Sequence, residues 1–186
     1  IRLYNLSTGS TVWTHTASDP YQVVTGSQAG SNIVAGHASA HEIEFFDLAG
    51  NIVWTSDTDG FSQDIAASDD GSRFAVASTY DIYTSSGDNS IRYFQNSSST
   101  PIWSHVTGSD PQERFLSVDV SADGRYIVAS CMDGKVYMFD ETRSDPWWEY
   151  DLGSSVLDVS MSLDGTRMVA ITNDGLVQSL FNDLEV

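Results

Sequence analysis

Short apolar runs alternate with polar residues along the chain, and tight glycine turns separate them. The pattern is clearest from Ser117 to Asp140, where Val118 and Val120 alternate with Ser117 and Asp119, as in a strand whose two faces differ. Ser121-Ala122-Asp123-Gly124 interrupts it. A Ser or Asp side chain accepts a backbone N–H two or three residues on, and Gly takes the positive φ that a bulged hairpin requires. Tyr126 to Ala129 reads as a second strand, Asp133-Gly134 as a second turn and Lys135 to Asp140 as a third strand. This predicts an antiparallel meander. No stretch has helical periodicity of useful length.

The unit recurs. Turn glycines of the same make stand at Gly30, Gly71, Gly124 and Gly165, spaced 41, 53 and 41 residues. A Trp closes each unit at Trp13, Trp54, Trp103 and Trp148, and an aromatic ends the third strand at Phe46, Phe94, Phe139 and Phe181. Three markers in step identify a repeat protein. Each unit resolves into strands A to D, innermost to outermost. Strand A is expected at Gln22 to Thr25, Gln63 to Ala67, Ser117 to Val120 and Leu157 to Met161, and strand B at Asn32 to Ala35, Arg73 to Ala77, Tyr126 to Ser130 and Met168 to Ile171. Strand C falls at Ile1 to Asn5, Glu42 to Asp47, Ser90 to Phe94, Lys135 to Asp140 and Leu176 to Phe181, and strand D carries the Trp. The units are 1–16 in part, 17–56, 57–106, 107–151 and 152–186 in part.

The segment Asn5-Leu6-Ser7-Thr8-Gly9-Ser10-Thr11-Val12-Trp13 is similar to the Thr-Gly-x-x-x-Trp end of a quinoprotein docking repeat, with Asn5 where that motif usually has Asp. Over essentially its whole length the chain resembles the β-propeller repeats of the WD-repeat and quinoprotein-like (PQQ-like) families. Later units depart from the motif: Asp47-Leu48-Ala49-Gly50 is one residue shorter before Trp54, the third and fourth units lack the Thr-Gly, and no Trp-Asp dipeptide occurs. The resemblance implies an all-β fold, a β-propeller built from four-stranded antiparallel blades. Such a blade buries both faces only by stacking on neighbours. On strand A, Val24, Ile65, Val118 and Val159, then Gly26, Ala67, Val120 and Met161, read as the inter-blade core. The chain opens with strands C and D of one unit and ends after strand C of another, and Ile1 lies inside a strand with no Met before it. We therefore expect a partial propeller, completed by further blades of the same polypeptide or covered by another chain.

Charge narrows the partners. Asp and Glu number 26 against 8 Lys and Arg, and Lys135 is the single lysine. Counterion release onto nucleic acid needs a basic face, which this chain lacks. No apolar run approaches the roughly 20 residues that span a bilayer, so no membrane insertion is expected. Six of the aspartates precede Gly, so turn chemistry explains part of the acid excess. The scarcity of Lys points instead to a high-salt or extracellular surface. Cys131, the only cysteine, ends an apolar strand and reads as a small buried hydrophobe. The sequons at Asn5 and Asn96 permit N-glycosylation if the chain is exported.

Strand connectivity puts the D-to-A and B-to-C loops on one rim, and that rim is the irregular one. It holds His37-Ala38-Ser39-Ala40-His41-Glu42, an insertion within Ser78 to Asn89, the Asp57-Thr58-Asp59-Gly60 loop and the connection Ser104 to Arg114. Irregular loops on a regular scaffold are the usual place for binding. His37 and His41 could pair on a metal, although their spacing suits a helix face better than a turn. Asp57 and Asp59 could ligate Ca²⁺, or simply form a solvated turn, since the later ligands of an EF-hand loop are missing. Asp64, Asp119 and Asp158 recur on the polar face of strand A; they either gather carboxylates for a cation or cap local N–H groups. His15 and His105 follow a Trp by two residues at one repeat position and read as part of the repeat. Tyr80, Ile82 and Tyr83 either extend a hairpin or offer an aromatic contact to a partner.

Enzymatic signatures are missing: no Gly-x-Ser-x-Gly elbow, phosphate loop, Cys-x-x-Cys or His-Glu-x-x-His occurs. The reading is a non-catalytic propeller scaffold or interaction protein, extracellular or at the cell surface, with protein partners and no cofactor. The alternative is the propeller part of a quinoprotein-type oxidoreductase, or of a peptidase, whose catalytic residues lie outside this sequence.

Overall fold

A computed structural model describes residues 1–182. Its strands fall into five antiparallel sheets in chain order. The first holds β1 (Arg2–Tyr4) and β2 (Thr11–Thr14). The second holds β3 (Tyr21–Gly26), β4 (Ile33–His37), β5 (Glu42–Phe46) and β6 (Ile52–Asp57). The third holds β7 (Phe61–Ala67), β8 (Arg73–Thr79), β9 (Asn89–Gln95) and β10 (Trp103–Gly108), and the fourth β11 (Phe115–Val120), β12 (Tyr126–Cys131), β13 (Lys135–Asp140) and β14 (Trp148–Asp151). The fifth holds β15 (Val156–Met161), β16 (Arg167–Thr172) and β17 (Val177–Phe181). These are blades of a partial propeller, and the described residues do not close into a ring.

The A-to-B turns form as their residues dictate. Gly30, Gly71, Gly124 and Gly165 all have φ between 65° and 76°, the left-handed region that a Cβ disfavours. At Gly71 a Cβ would also stand 2.7 Å from Ser27 of the neighbouring sheet. The turns are tied to one another: Ala29 N–H donates to Asp69 O at 2.8 Å, Asp69 N–H to Ala122 O at 3.0 Å and Ala122 N–H to Leu163 O at 2.8 Å. Each inner strand carries a bulge at the same repeat position, between Tyr21 and Val23, Ser62 and Asp64, Phe115 and Ser117, and Val156 and Asp158. The extra residue re-aims the side chains that follow it.

Three cores lie between sheets. Val34 and Phe45 of the second sheet meet Phe74, Val76 and Phe94 of the third. Ala75, Tyr93 and Trp103 of the third meet Ile127, Ala129 and Phe139 of the fourth, and Val128, Val136 and Met138 of the fourth meet Met168, Ala170 and Leu180 of the fifth. One face of each sheet therefore packs on the opposite face of the next, the stacking that strand alternation allows. The Trp markers cross these seams. Trp13 stacks on Phe46, Trp54 on Phe74 and Phe94, and Trp103 lies 5.3 Å from Phe139. Trp13 and Trp54 also donate their indole N–H to Leu48 O and Asn96 O, in the C-to-D loops of the next sheet.

Two sequence assignments change. Ile33 pairs with Phe46, Phe74 with Phe94, Ile127 with Phe139, and Met168 with Leu180. The fourth aromatic marker is thus replaced by Leu180. Phe181 sits one residue later, which turns it to the opposite face; it is 62% exposed, with Arg167 against its ring. Val24 aligns with buried Ile65, Val118 and Val159, yet is 60% exposed. The two-stranded sheet ahead of it engages the outer half of the second sheet through Trp13 and Phe46 and leaves an open groove at Val24 and Ile33.

Candidate functional site

The inner-strand aspartates act as stitches between blades. Asp64 accepts the N–H of Ile65 on one oxygen, and on the other the Ser117 hydroxyl at 2.9 Å and the Val118 N–H at 3.0 Å. Asp119 repeats the arrangement with Val120 N–H, then Ser160 Oγ at 3.2 Å and Met161 N–H at 2.7 Å. Asp158 accepts from Val159 N–H. The carboxylates of Asp64 and Asp119 cap the next inner strand, whose edge N–H groups would otherwise lack partners, while Asp158 caps within its own strand. Among the described residues no group of three His, Cys, Asp or Glu side chains is placed to hold a metal ion.

His37 and His41 are kept apart. His37, on β4, is buried with its Nε2 3.4 Å from Glu44 and its Nδ1 3.2 Å from Asp19 O. Glu44 is itself buried and accepts the Tyr21 hydroxyl, and His15 Nε2 lies 3.7 Å away. Burial and that carboxylate push the Tyr21 phenol well above its usual range. By repeat position Tyr21, His37, Glu44 and His15 correspond to Phe115, Cys131, Tyr137 and His105 two seams further on. Both histidines rest against the marker aromatic, His15 at 5.1 Å from Phe46 and His105 at 5.2 Å from Phe139. Burial holds the His105 imidazole below its ordinary value and pushes the Cys131 thiol far above its own. A thiol so protonated is a poor nucleophile.

The loops of the irregular rim form one surface. Gly87 has φ 81°, and a Cβ there would collide with the Asp59 carbonyl. Asp88 N–H donates to Asp59 O at 2.6 Å, Tyr80 N–H to Asn89 Oδ1 at 2.9 Å, and Asn89 Nδ2 to Asp110 O at 2.7 Å. Asp57 caps the Asp59 N–H, and Asp59 pairs with buried Arg92, whose other nitrogen donates to Asp57 O. Asp57 and Asp59 are thus committed to this loop structure.

The insertion does not extend the β8–β9 hairpin. A single bridge, Asp81 with Ser86, closes it. Asp81 is 3% exposed and accepts Tyr83 N–H at 2.7 Å, Thr84 N–H at 3.2 Å and the Thr84 hydroxyl. His41 Nε2 approaches it at 3.4 Å and rests edge-on against Phe61. Desolvation pushes the Asp81 carboxyl up, but the Thr84 and Tyr83 donors and nearby His41 outweigh it and hold the carboxyl below its ordinary value. The buried aspartate is the pin of the loop; Tyr80 stays half-buried, while Ile82 is 49% and Tyr83 86% exposed. Sequence reasoning singled out the aromatics and missed the pin, although Asp81-x-x-Thr84 is the pattern of an Asx turn.

The repeat, the blade order and the Trp seams now stand together with a family match. Residues 1–177 match the model of the family described as outer membrane protein assembly factor BamB, a family of PQQ-like repeats. The chain belongs to this family. No curated protein matches it. Membership in the BamB family agrees with the propeller blades and supports a scaffold or interaction role, with protein rather than nucleic acid as the class of partner. No helix among the described residues is long and apolar enough to cross a membrane. Of the sequons, Asn5 is exposed in a turn, its side-chain oxygen accepting the N–H groups of Ser7 and Thr8, and Asn96 is half-buried beside Trp54.

Proposed function

We propose that this member of the BamB family is a non-catalytic propeller scaffold that holds a protein partner on its irregular rim, at the cell surface or outside the cell. The observation that carries the reading is the pinned loop of residues 80–88. A buried aspartate with several bonds holds Ile82 and Tyr83 out into solvent. A large amphipathic side chain such as that of Tyr83, presented on a fixed backbone, binds at low entropic cost and is a common anchor of interfaces, with Ile82 adding apolar contact beside it. The family description supports a place in the cell envelope, and the nearly Lys-free acidic surface and the exposed Asn5 sequon fit an exported protein. The test places a photoreactive phenylalanine analogue at position 83 of the native protein in its own cells. One dominant protein adduct is expected, and Tyr83→Ala should lower co-purification of that protein about tenfold or more, as loss of a hot spot does. Absence of any adduct, together with unchanged co-purification, would sink the proposal.

A further inference from the structure

We infer that the partner surface recognised at this rim is basic: an apolar pocket for Tyr83 and Ile82, bordered by Lys or Arg side chains. The inference rests on the rim being a binding surface and adds the chemistry of what it binds. Three hydrogen-bonded loops bring Asp57, Asp59, Asp88 and Asp110 to the base of the projecting tip. Asp57, Asp59 and Asp110 are exposed and Asp88 half-buried. The cations nearest them give nothing back to solvent. Arg92 is 6% exposed and already engaged with Asp59 and the Asp57 carbonyl, and Arg114 is half-buried at the end of the Pro111–Glu113 3₁₀ turn.

The exposed cations lie away from the tip: Arg2 beside the 15–20 loop of the first blades, Lys135 in the fourth sheet and paired with Glu149, and Arg125, Arg143 and Arg167 on the other rim. Arg125 and Arg143, with side chains 60% and 47% exposed, follow an A-to-B turn and a C-to-D turn and face Glu141 and Asp140 there. Around the aromatic tip Asp59 is paired with Arg92, while Asp57, Asp88 and Asp110 form no ion pair among the described residues, so the base of the tip keeps a net negative charge. Such a field steers an oppositely charged partner in and repels an acidic one. The apolar tip supplies the contact that a screened field alone cannot.

A display library of random peptides of about twelve residues, selected on the full chain and counter-selected on the exposed-loop variant Ile82→Ser/Tyr83→Ala, tests this. Peptides retained should carry net positive charge around apolar residues. The best of them, synthesised, should bind about tenfold more weakly to Asp57→Asn/Asp88→Asn/Asp110→Asn, and more weakly again as salt rises. Asn keeps the capping geometry of Asp57 and Asp110, so the triple variant changes charge while the turns stay formed. Retained peptides that are neutral or acidic, or affinity indifferent to the triple variant, would overturn the basic-partner inference while leaving a Tyr83-dependent scaffold intact. If selection does not distinguish the chain from its loop variant, the rim reading itself falls, and this inference with it.

Discussion

At the scale of single residues, the chain's Trp positions explain why a repeat this divergent still stacks. Trp54 lies face to face with Phe45 at 4.9 Å in its own sheet and 5.7 Å from Phe74 across the seam, and its indole N–H reaches Asn96 O at 2.8 Å. Trp54→Ala should cost about 3–5 kcal/mol, the range for emptying an aromatic site. Trp54→Phe should cost only about 1 kcal/mol, because the stack survives and one hydrogen bond is lost. Urea unfolding of the two variants decides it: equal losses would show that the indole bond, and not the stack, holds the seam.

At the scale of elements, the seam between the first two sheets is built differently from its equivalents. Where the third-to-fourth seam uses Phe115, Cys131 and Tyr137, this one uses Tyr21, His37 and Glu44, with His15 in the place of His105. A carboxylate buried on β5 is tolerable because the Tyr21 hydroxyl and His37 converge on it. Glu44→Ala should therefore destabilise by about 2–3 kcal/mol, since it strands the Tyr21 hydroxyl without its acceptor and removes the carboxylate beside buried His37. Grafting the other seam's residues, Tyr21→Phe/His37→Cys/Glu44→Tyr, should recover most of that loss, because the site's shape is common to both seams. Thermal melts of the two variants check the claim; a graft no more stable than Glu44→Ala would mean that the seams are not interchangeable.

At the scale of the molecule, the net charge of −18 sets the response to salt. The described residues pair few of their carboxylates with cations, and the pairs Arg125–Glu141, Lys135–Glu149 and Arg143–Asp140 are at least partly exposed. Most of the acid is thus balanced by solvent, and self-repulsion opposes the compact state. Raising KCl from about 0.1 M to 1 M shortens the screening length from roughly 10 Å to 3 Å. The melting temperature should rise by several degrees over that range; a flat or falling curve would show that repulsion is not a significant term.

The one-dimensional pattern determined the blade. Strand alternation, the Ser-x-Asp-Gly turns and the spacing of Trp and Phe are local or periodic properties, so the all-β class, the four-strand antiparallel order and most seam positions were legible in the sequence, Val24 and Phe181 excepted. The insertion's Tyr80, Ile82 and Tyr83 were legible as candidates for the same reason: they interrupt a regular unit. What the tertiary structure alone decided depends on register and on contacts between units. A one-residue offset in β17 exchanged Phe181 for Leu180 at the seam, which composition at the strand end does not reveal. The aspartates of the inner strands became stitches because the next blade presents N–H groups and hydroxyls at their reach. His37 and His41, four apart in sequence, were drawn to Glu44 and Asp81 because each lies against a different strand or loop. Whether Tyr83 lay flat or stood out was settled by Asp81, a turn aspartate among many in the sequence, buried only once the loops of neighbouring blades had come together.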